Sequence, residues 1–102
     1  MFGMFGKLRA QPGKRAELEA ALLEAAGLLA DAPGARSYVV YRDEEDPDAV
    51  GVFEVWDSRE DHRNSLQLDA VRDLIAKARP ILAGAPESKE IEPLGGLGLH
   101  AG

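Results

Sequence analysis

The chain has 102 residues, which fits one domain, and 45% of them are hydrophobic, as is usual for a globular protein. Its formal net charge of -6, with 12 basic residues scattered among 18 acidic ones, excludes the basic stripe that nucleic-acid binding requires. The absence of cysteine excludes disulfides and thiolate chemistry, and no apolar run approaches the roughly 20 residues that span a bilayer.

The first third of the chain predicts a strand, a helix and the beginning of a second strand. Residues 1–10 are apolar and aromatic with partial alternation, which is typical of a strand, and they lack the features of a signal peptide, so we expect a cytoplasmic protein. Leucine and alanine recur at helical spacing over residues 14–31. Pro33 and Gly34 should end this helix, and the β-branched and aromatic residues 36–43 predict the next strand.

A hairpin should follow, with an acidic turn over residues 44–48 and a third strand over residues 49–56. The turn lacks the ligand order of a calcium-binding EF-hand loop, so we interpret it as a solvated connection. The third strand is apolar on both faces, which indicates a central strand with material packed on each side. One face carries Val52, Glu54 and Trp56, and the other carries Phe53 and Val55.

A second helix should begin directly after this strand. Asp57 or Ser58 can cap it, with an acidic residue three positions on, as in a capping box. The apolar stripe continues beyond a possible break at residues 65–69, where Ser65 and Asp69 could cap a new segment. Pro80 then argues for an end near Arg79.

The last predicted element is a strand over residues 87–94. Residues 1–94 should therefore form the domain, and residues 95–102, which are rich in glycine and include His100, a flexible tail.

The order β-α-β-β-α-β predicts an α+β protein with a ferredoxin-like fold, in which both helices cover one face of an antiparallel sheet. The other face would then be bare and apolar, carrying Trp56, Val52 and either Tyr41 or Met4. Because a large exposed apolar surface predicts a partner, we expect a homodimer formed through the sheet faces, with a partly apolar cavity between or beside them.

Three stretches, "PGKRAELEAALLEAA", "SYVVYRD" and "FEVWDSREDHRNSL", make the chain resemble the antibiotic biosynthesis monooxygenase-like family. The resemblance extends from Phe2 to Leu94 and is most specific at Glu54-x-Trp56 and at His62-Arg63-x-Ser65. It implies a dimeric α+β barrel with one pocket per subunit. Members of this family act as cofactor-free oxygenases on quinols or polycyclic phenols. Our first hypothesis is therefore an oxidoreductase that needs no cofactor and uses dioxygen to oxidise an electron-rich aromatic molecule such as a quinol, an anthrone or a naphthol.

The candidate catalytic base is His62, because a neutral imidazole can accept a proton from a phenol. Trp56 and Tyr41 could form walls that stack on an aromatic ligand. The side chains from Arg63 to Ser65 could donate hydrogen bonds to an anion. The candidate substrate-binding residues are therefore Trp56, Tyr41, Glu54, Arg63, Asn64 and Ser65.

Each of these residues also has an ordinary structural interpretation. Trp56 could simply fill the core, His62 could lie on the surface, and the polar residues after it could belong to the helix surface. Glu54 could be a buried carboxyl with a raised pKa, or it could pair with Arg42 or Lys7 across the sheet. Tyr38 has the opposite strand parity to Tyr41, which we place in the barrel interior.

Two other functions remain open at this point. A non-enzymatic dimer could bind a small aromatic or lipid-like molecule as a carrier or sensor. A relative with the same fold degrades haem with an Asn on the first strand, a Trp and an iron-ligating His. The chain has Trp56 and His62 but no Asn in residues 1–10, and its two distant histidines form no visible metal site.

Overall fold

The computed structural model describes residues 1–99 and confirms the predicted order of elements. Its four strands are β1 (Phe2–Arg9), β2 (Ala35–Arg42), β3 (Ala49–Trp56) and β4 (Glu87–Ile91). They form one antiparallel sheet in the spatial order β2-β3-β1-β4, which is the ferredoxin-like arrangement. Strand β4 is shorter than predicted, and His100 lies outside the described residues.

The helical elements are α1 (Arg15–Leu29), α2 (Arg59–Ser65), α3 (Asp69–Ala78) and one 3₁₀ turn (Arg79–Ile81). The Oγ of Ser58 accepts the backbone N–H of Asp61 at 3.1 Å, which confirms the predicted cap of α2. The predicted break between α2 and α3 is also present. However, α3 begins after Leu68 without a side-chain cap, so the expected capping by Ser65 or Asp69 is wrong.

The register of the sheet places the even-numbered residues of β1 and β3 on the face that the helices cover. Phe2 lies opposite Trp56 and Met4 lies opposite Glu54. The buried cluster of Phe2 and Trp56 includes Leu29 from α1 and Val71 from α3. The core therefore lies between this face and the helices.

The prediction of which residues occupy the uncovered face needs a correction. Trp56, Val52 and Met4 lie under the helices, and of the four only Tyr41 lies on the uncovered face. Successive side chains of β3 point to opposite faces of the sheet, but both faces of the strand are apolar. The sequence therefore does not indicate which face the helices cover.

The uncovered face, which we call the open face, has an apolar row across three strands. Val39, Phe53 and Phe5 are neighbours in the register, and the two phenylalanine rings lie 4.9 Å apart between centroids. Val39 and Phe5 are 49% and 41% exposed, respectively. The open face therefore presents large apolar side chains to solvent.

Ion pairs connect the acidic turn between β2 and β3 to strand β1. Lys7 Nζ lies 3.1 Å from Asp43 Oδ2, and Arg9 Nε lies 3.0 Å from Asp46 Oδ2. Asp43 and Asp46 thus have cationic partners within the protein. Among the helices of residues 1–99, none combines the length and the apolar character that crossing a membrane requires.

Candidate active site

A cavity of about 370 Å³ lies between the helices and the sheet. Its floor comes from β1 and β3, and its walls come from α1, α2 and α3. Exposed residues near the start of β4, Pro86 and Ser88 among them, line its outer edge. The side chains that line the interior are mainly aliphatic: Met4, Leu8, Leu18, Leu22, Leu29, Val52, Val71, Leu74, Ile75 and Leu82.

Three side chains form a polar group beside this cavity, and Glu54 connects them. Trp56 Nε1 donates a hydrogen bond to Glu54 Oε1 at 3.0 Å, and His62 Nε2 lies 3.6 Å from the same oxygen. Glu54 and Trp56 share a face because they are two residues apart on β3. The chain then turns at Ser58 and starts α2, whose first turn returns His62 over the end of that strand.

Aromatic rings pack around the imidazole of His62. Its ring centroid lies 5.3 Å from that of Phe2 and 5.8 Å from that of Trp56. The His62 side chain is only 15% exposed. These contacts fix the position of the imidazole next to Glu54 at the wall of the cavity.

Burial dominates the electrostatics of Glu54, which is 8% exposed. It raises the pKa of the Glu54 carboxyl, while the Trp56 hydrogen bond and the nearby His62 offset part of this increase. No other hydrogen bond reaches this carboxyl among residues 1–99. Every fully enclosed side-chain oxygen or nitrogen there has a partner, so Oε2 is accessible from the cavity that Glu54 lines.

The raised pKa of Glu54 makes a prediction about stability and pH. In the unfolded chain this carboxyl titrates near its ordinary value of 4.5. Because the pKa of Glu54 is higher in the folded protein, the protonated carboxyl contributes to stability below pH 4.5. This contribution is lost as the pH rises through the folded pKa. As the pH rises above 4.5, Glu54→Gln should therefore lose less stability than the natural protein, by about 1.4 kcal/mol for each unit by which the folded pKa is raised.

Chemical denaturation at several pH values measures this difference. The matched control is Glu60→Gln, which removes an exposed carboxyl from α2, so that the loss of a buried carboxyl is compared with the loss of an exposed one. Parallel pH profiles for the natural protein and Glu54→Gln would show that the Glu54 carboxyl titrates normally.

Tyr38 is a cavity residue that we did not select for the site from the sequence. It lies directly opposite Glu54 in the register of β2 and β3, and its ring lines the cavity. Burial, together with the Glu54 charge, raises the pKa of the Tyr38 phenol, so this hydroxyl stays protonated. The signal that could have identified Tyr38 is its position in β2, because cross-strand neighbours such as Tyr38 and Glu54 point to the same face of the sheet.

The structure brings three of the proposed site residues together at the cavity: Glu54, His62 and Ser65. The hydroxyl of Ser65 is already engaged, because its Oγ donates to the backbone carbonyl of His62 at 2.6 Å. Arg63 and Asn64 are exposed on α2 and do not line the cavity. Their side chains point away from it because α2 packs through the face that holds His62 and Ser65.

The two aromatic residues that we expected as walls have different positions. Tyr41 lies on the open face, opposite Gly51, so the sheet separates its ring from the cavity. Trp56 is 1% exposed and belongs to the core, where its indole N–H holds Glu54. The alternative pairing of Glu54 is also wrong, because Lys7 pairs with Asp43 and Arg42 pairs with Glu19.

The acidic and histidine side chains of residues 1–99 do not gather into groups of three or more that could hold a metal ion. His62 is the imidazole at the cavity. A group that binds His62 Nε2 would compete with Glu54, whose Oε1 lies 3.6 Å from that nitrogen.

Comparison with known proteins places this geometry in a family. A family model described as antibiotic biosynthesis monooxygenase matches residues 1–77. No curated protein matches the chain. Among solved structures, a proposed antibiotic biosynthesis monooxygenase from Chloroflexus aurantiacus J-10-fl is 48% identical, with a TM-score of 0.86 over 96% of this chain and 97% of that one.

Two further solved structures have the same fold. A proposed antibiotic biosynthesis monooxygenase from Caulobacter crescentus CB15 is 26% identical, with a TM-score of 0.85 over 92% of this chain and 90% of that one. A variant of SnoaB, a cofactor-independent oxygenase from Streptomyces nogalater, is 17% identical, with a TM-score of 0.78 over 94% and 95% of the two chains. The family match and the similarity to the Chloroflexus protein confirm the resemblance: the chain belongs to the antibiotic biosynthesis monooxygenase family.

Proposed function

We propose that the protein is a cofactor-independent monooxygenase that oxidises an electron-rich hydroxyaromatic molecule with dioxygen. The observation that carries this proposal is the pairing of Glu54 and His62 at one wall of an otherwise aliphatic cavity. An aliphatic cavity suits an aromatic ring, and the acid–base pair suits its hydroxyl group. SnoaB, which shares the fold, is named as an oxygenase that needs no cofactor.

The chemistry requires the protein to make and hold a substrate anion. Triplet dioxygen reacts slowly with closed-shell molecules, but an electron-rich anion can give it one electron. His62 takes the hydroxyl proton, and the substrate radical and superoxide then combine into a C–O bond. After the peroxide is protonated, loss of water leaves one oxygen atom as a product carbonyl, and the second oxygen leaves in the water. The substrate supplies all the electrons.

The residues around the cavity support each of these reaction steps. The aliphatic lining excludes water from the ring and strengthens electrostatic interactions with the anion. Tyr38, whose phenol stays protonated, can donate a hydrogen bond beside Glu54. The proton that His62 accepts can pass to Glu54, because the two groups are adjacent.

Oxygen consumption tests the proposal. Quinols, anthrones and naphthols are supplied one at a time to the protein with a chelator and without flavin, and uptake is followed with an oxygen electrode. Isotopically labelled dioxygen should place one labelled atom in the product. If several of these compounds bind and none is consumed, the protein is a small-molecule carrier and the oxygenase proposal is wrong.

We also propose that residues 1–94 form a homodimer through the open face. The row of Val39, Phe53 and Phe5 supports this, because two copies that meet face to face would remove these side chains from water. A second copy suits this face, because it would present the same apolar row on the same antiparallel sheet. In such a dimer each subunit keeps its own cavity on the opposite side of its sheet.

Placing a charge in this row should separate the subunits. Val39→Asp would bury an unpaired carboxylate in the contact, so the dissociation constant should rise at least about a hundredfold. The measurement is analytical ultracentrifugation over a concentration series. Leu23→Asp is the matched control, because Leu23 is also exposed, at 60%, but lies on α1. A natural protein that sediments as a monomer at micromolar concentration would contradict the proposed dimer.

A further inference from the structure

Gly6 leaves an open space in the floor of the cavity. It lies near the middle of β1, between Val52 of β3 and Ser88 of β4, on the face that the helices cover. A Cβ atom built at this position would meet no other atom within 4 Å. The neighbouring positions on the same face of β1 carry Met4 and Leu8, whose side chains fill their sites. The depth of the cavity at this point therefore depends on a missing side chain.

The backbone gives no reason for a glycine at this position. Gly6 is absent from the glycines of residues 1–99 that have a positive φ, and it pairs regularly with strands on both sides. A glycine inside a strand weakens it, because the unfolded chain is more flexible and no side chain packs. What Gly6 does provide is room for a ligand to approach the sheet.

The cavity lining also has a one-sided charge. Glu54 and Glu87 line it together with His62, and no Lys or Arg does so within residues 1–99. The carboxylate of Glu87 already pairs with Arg9, at 3.1 Å. Away from His62, a carboxylate or a phosphate on the ligand would meet carboxyl groups and aliphatic walls without a cationic partner in the lining. Burial of such an unpaired anion is strongly unfavourable.

We propose that Gly6 sets the size of the ring system that the cavity admits, and that the cavity rejects ligands with an anionic substituent. Gly6 lies diagonally across the strand pair from Glu54, at a separation of about 7 Å, so a hydroxyl at Glu54 and His62 would put the body of the ring over Gly6. The position of the hydroxyl rests on the proposed function. The size limit and the charge limit rest on the shape and charge of the lining alone.

Binding measurements without turnover test both limits. The probes are phenol, 2-naphthol, 2-anthrol and 3-hydroxy-2-naphthoate, titrated under anaerobic conditions and followed by calorimetry. Gly6→Leu should weaken 2-anthrol binding by about tenfold or more and leave phenol binding nearly unchanged. Gly6→Ala should also weaken 2-anthrol binding more than phenol binding, but by less than Gly6→Leu does. For the natural protein, the anionic naphthoate should bind at least about tenfold more weakly than 2-naphthol.

Gly27→Ala is the matched control, since Gly27 also has free space around a Cβ but is exposed on α1 and does not line the cavity. It should leave the affinity for every probe unchanged. Equal 2-anthrol affinity in the natural protein, Gly6→Ala and Gly6→Leu would overturn the size limit. Equal affinity for 2-naphthol and the naphthoate would overturn the charge limit. Tight, size-dependent binding without oxygen consumption would refute the oxygenase proposal and leave this inference intact.

Discussion

Replacing His62 by Ala should lower oxygen consumption by about 10²- to 10⁴-fold, which is the range that one positioned acid–base group contributes. The expectation follows from the place of the imidazole, which lines the cavity and has its Nε2 3.6 Å from Glu54 Oε1. Without it, the substrate hydroxyl would lose its proton only to water or directly to Glu54. The measurement is the rate of oxygen uptake with the best substrate of the panel.

Two comparisons separate this catalytic role from a structural one. Asn64→Ala changes an exposed residue of the same helix and should keep the natural rate. The rate of His62→Ala should also recover partly as the pH rises, because a higher pH generates the substrate anion without an enzymatic base. A variant that folds normally and keeps its rate within about threefold would show that His62 is not the base.

The sequence was sufficient for the order of elements because each signal was local. Partial alternation in β1, the apolar run of β3, helical spacing in α1 and the Ser58 cap of α2 depend on neighbouring residues alone. Which face of the sheet the helices cover, in contrast, could not be inferred from neighbouring residues. Val52 and Val55 lie on opposite faces of β3, and both are buried in the structure, at 3% and 0% exposure. Hydrophobicity could not decide between these two faces.

In the candidate site, too, some features could be predicted from local sequence and others depended on the fold. Glu54 and His62 could be selected from the sequence, since a carboxyl in an apolar strand and a histidine just after it are unusual neighbours. The positions of Trp56 and Tyr41 depended on which face of the sheet the helices cover, so the sequence could not place them. We expected a cavity between or beside the sheet faces of two subunits, but it lies between the helices and the sheet of one subunit, where Gly6 has no side chain.

Replacing Trp56 by Ala should destabilise the protein by about 3–5 kcal/mol, as expected for a large aromatic residue removed from a core. Trp56 is 1% exposed and packs with Phe2, Leu29 and Val71. A loss of this size is a large share of the total stability of a typical domain, about 5–15 kcal/mol. Because Trp56 is the only tryptophan in the chain, the variant must be followed by far-ultraviolet circular dichroism in denaturant.

Trp56→Phe separates the packing role of this residue from its hydrogen bond. The phenyl ring keeps most of the apolar contacts but cannot donate to Glu54 Oε1, so the stability loss should be smaller. Since the indole N–H lowers the pKa of Glu54, its removal should raise that pKa further, as seen by carbon-detected NMR of the carboxyl. If Trp56→Phe leaves the Glu54 titration unchanged, the indole acts only as a core residue. A shifted titration would instead show that the core tryptophan sets the protonation of the carboxyl that faces the cavity.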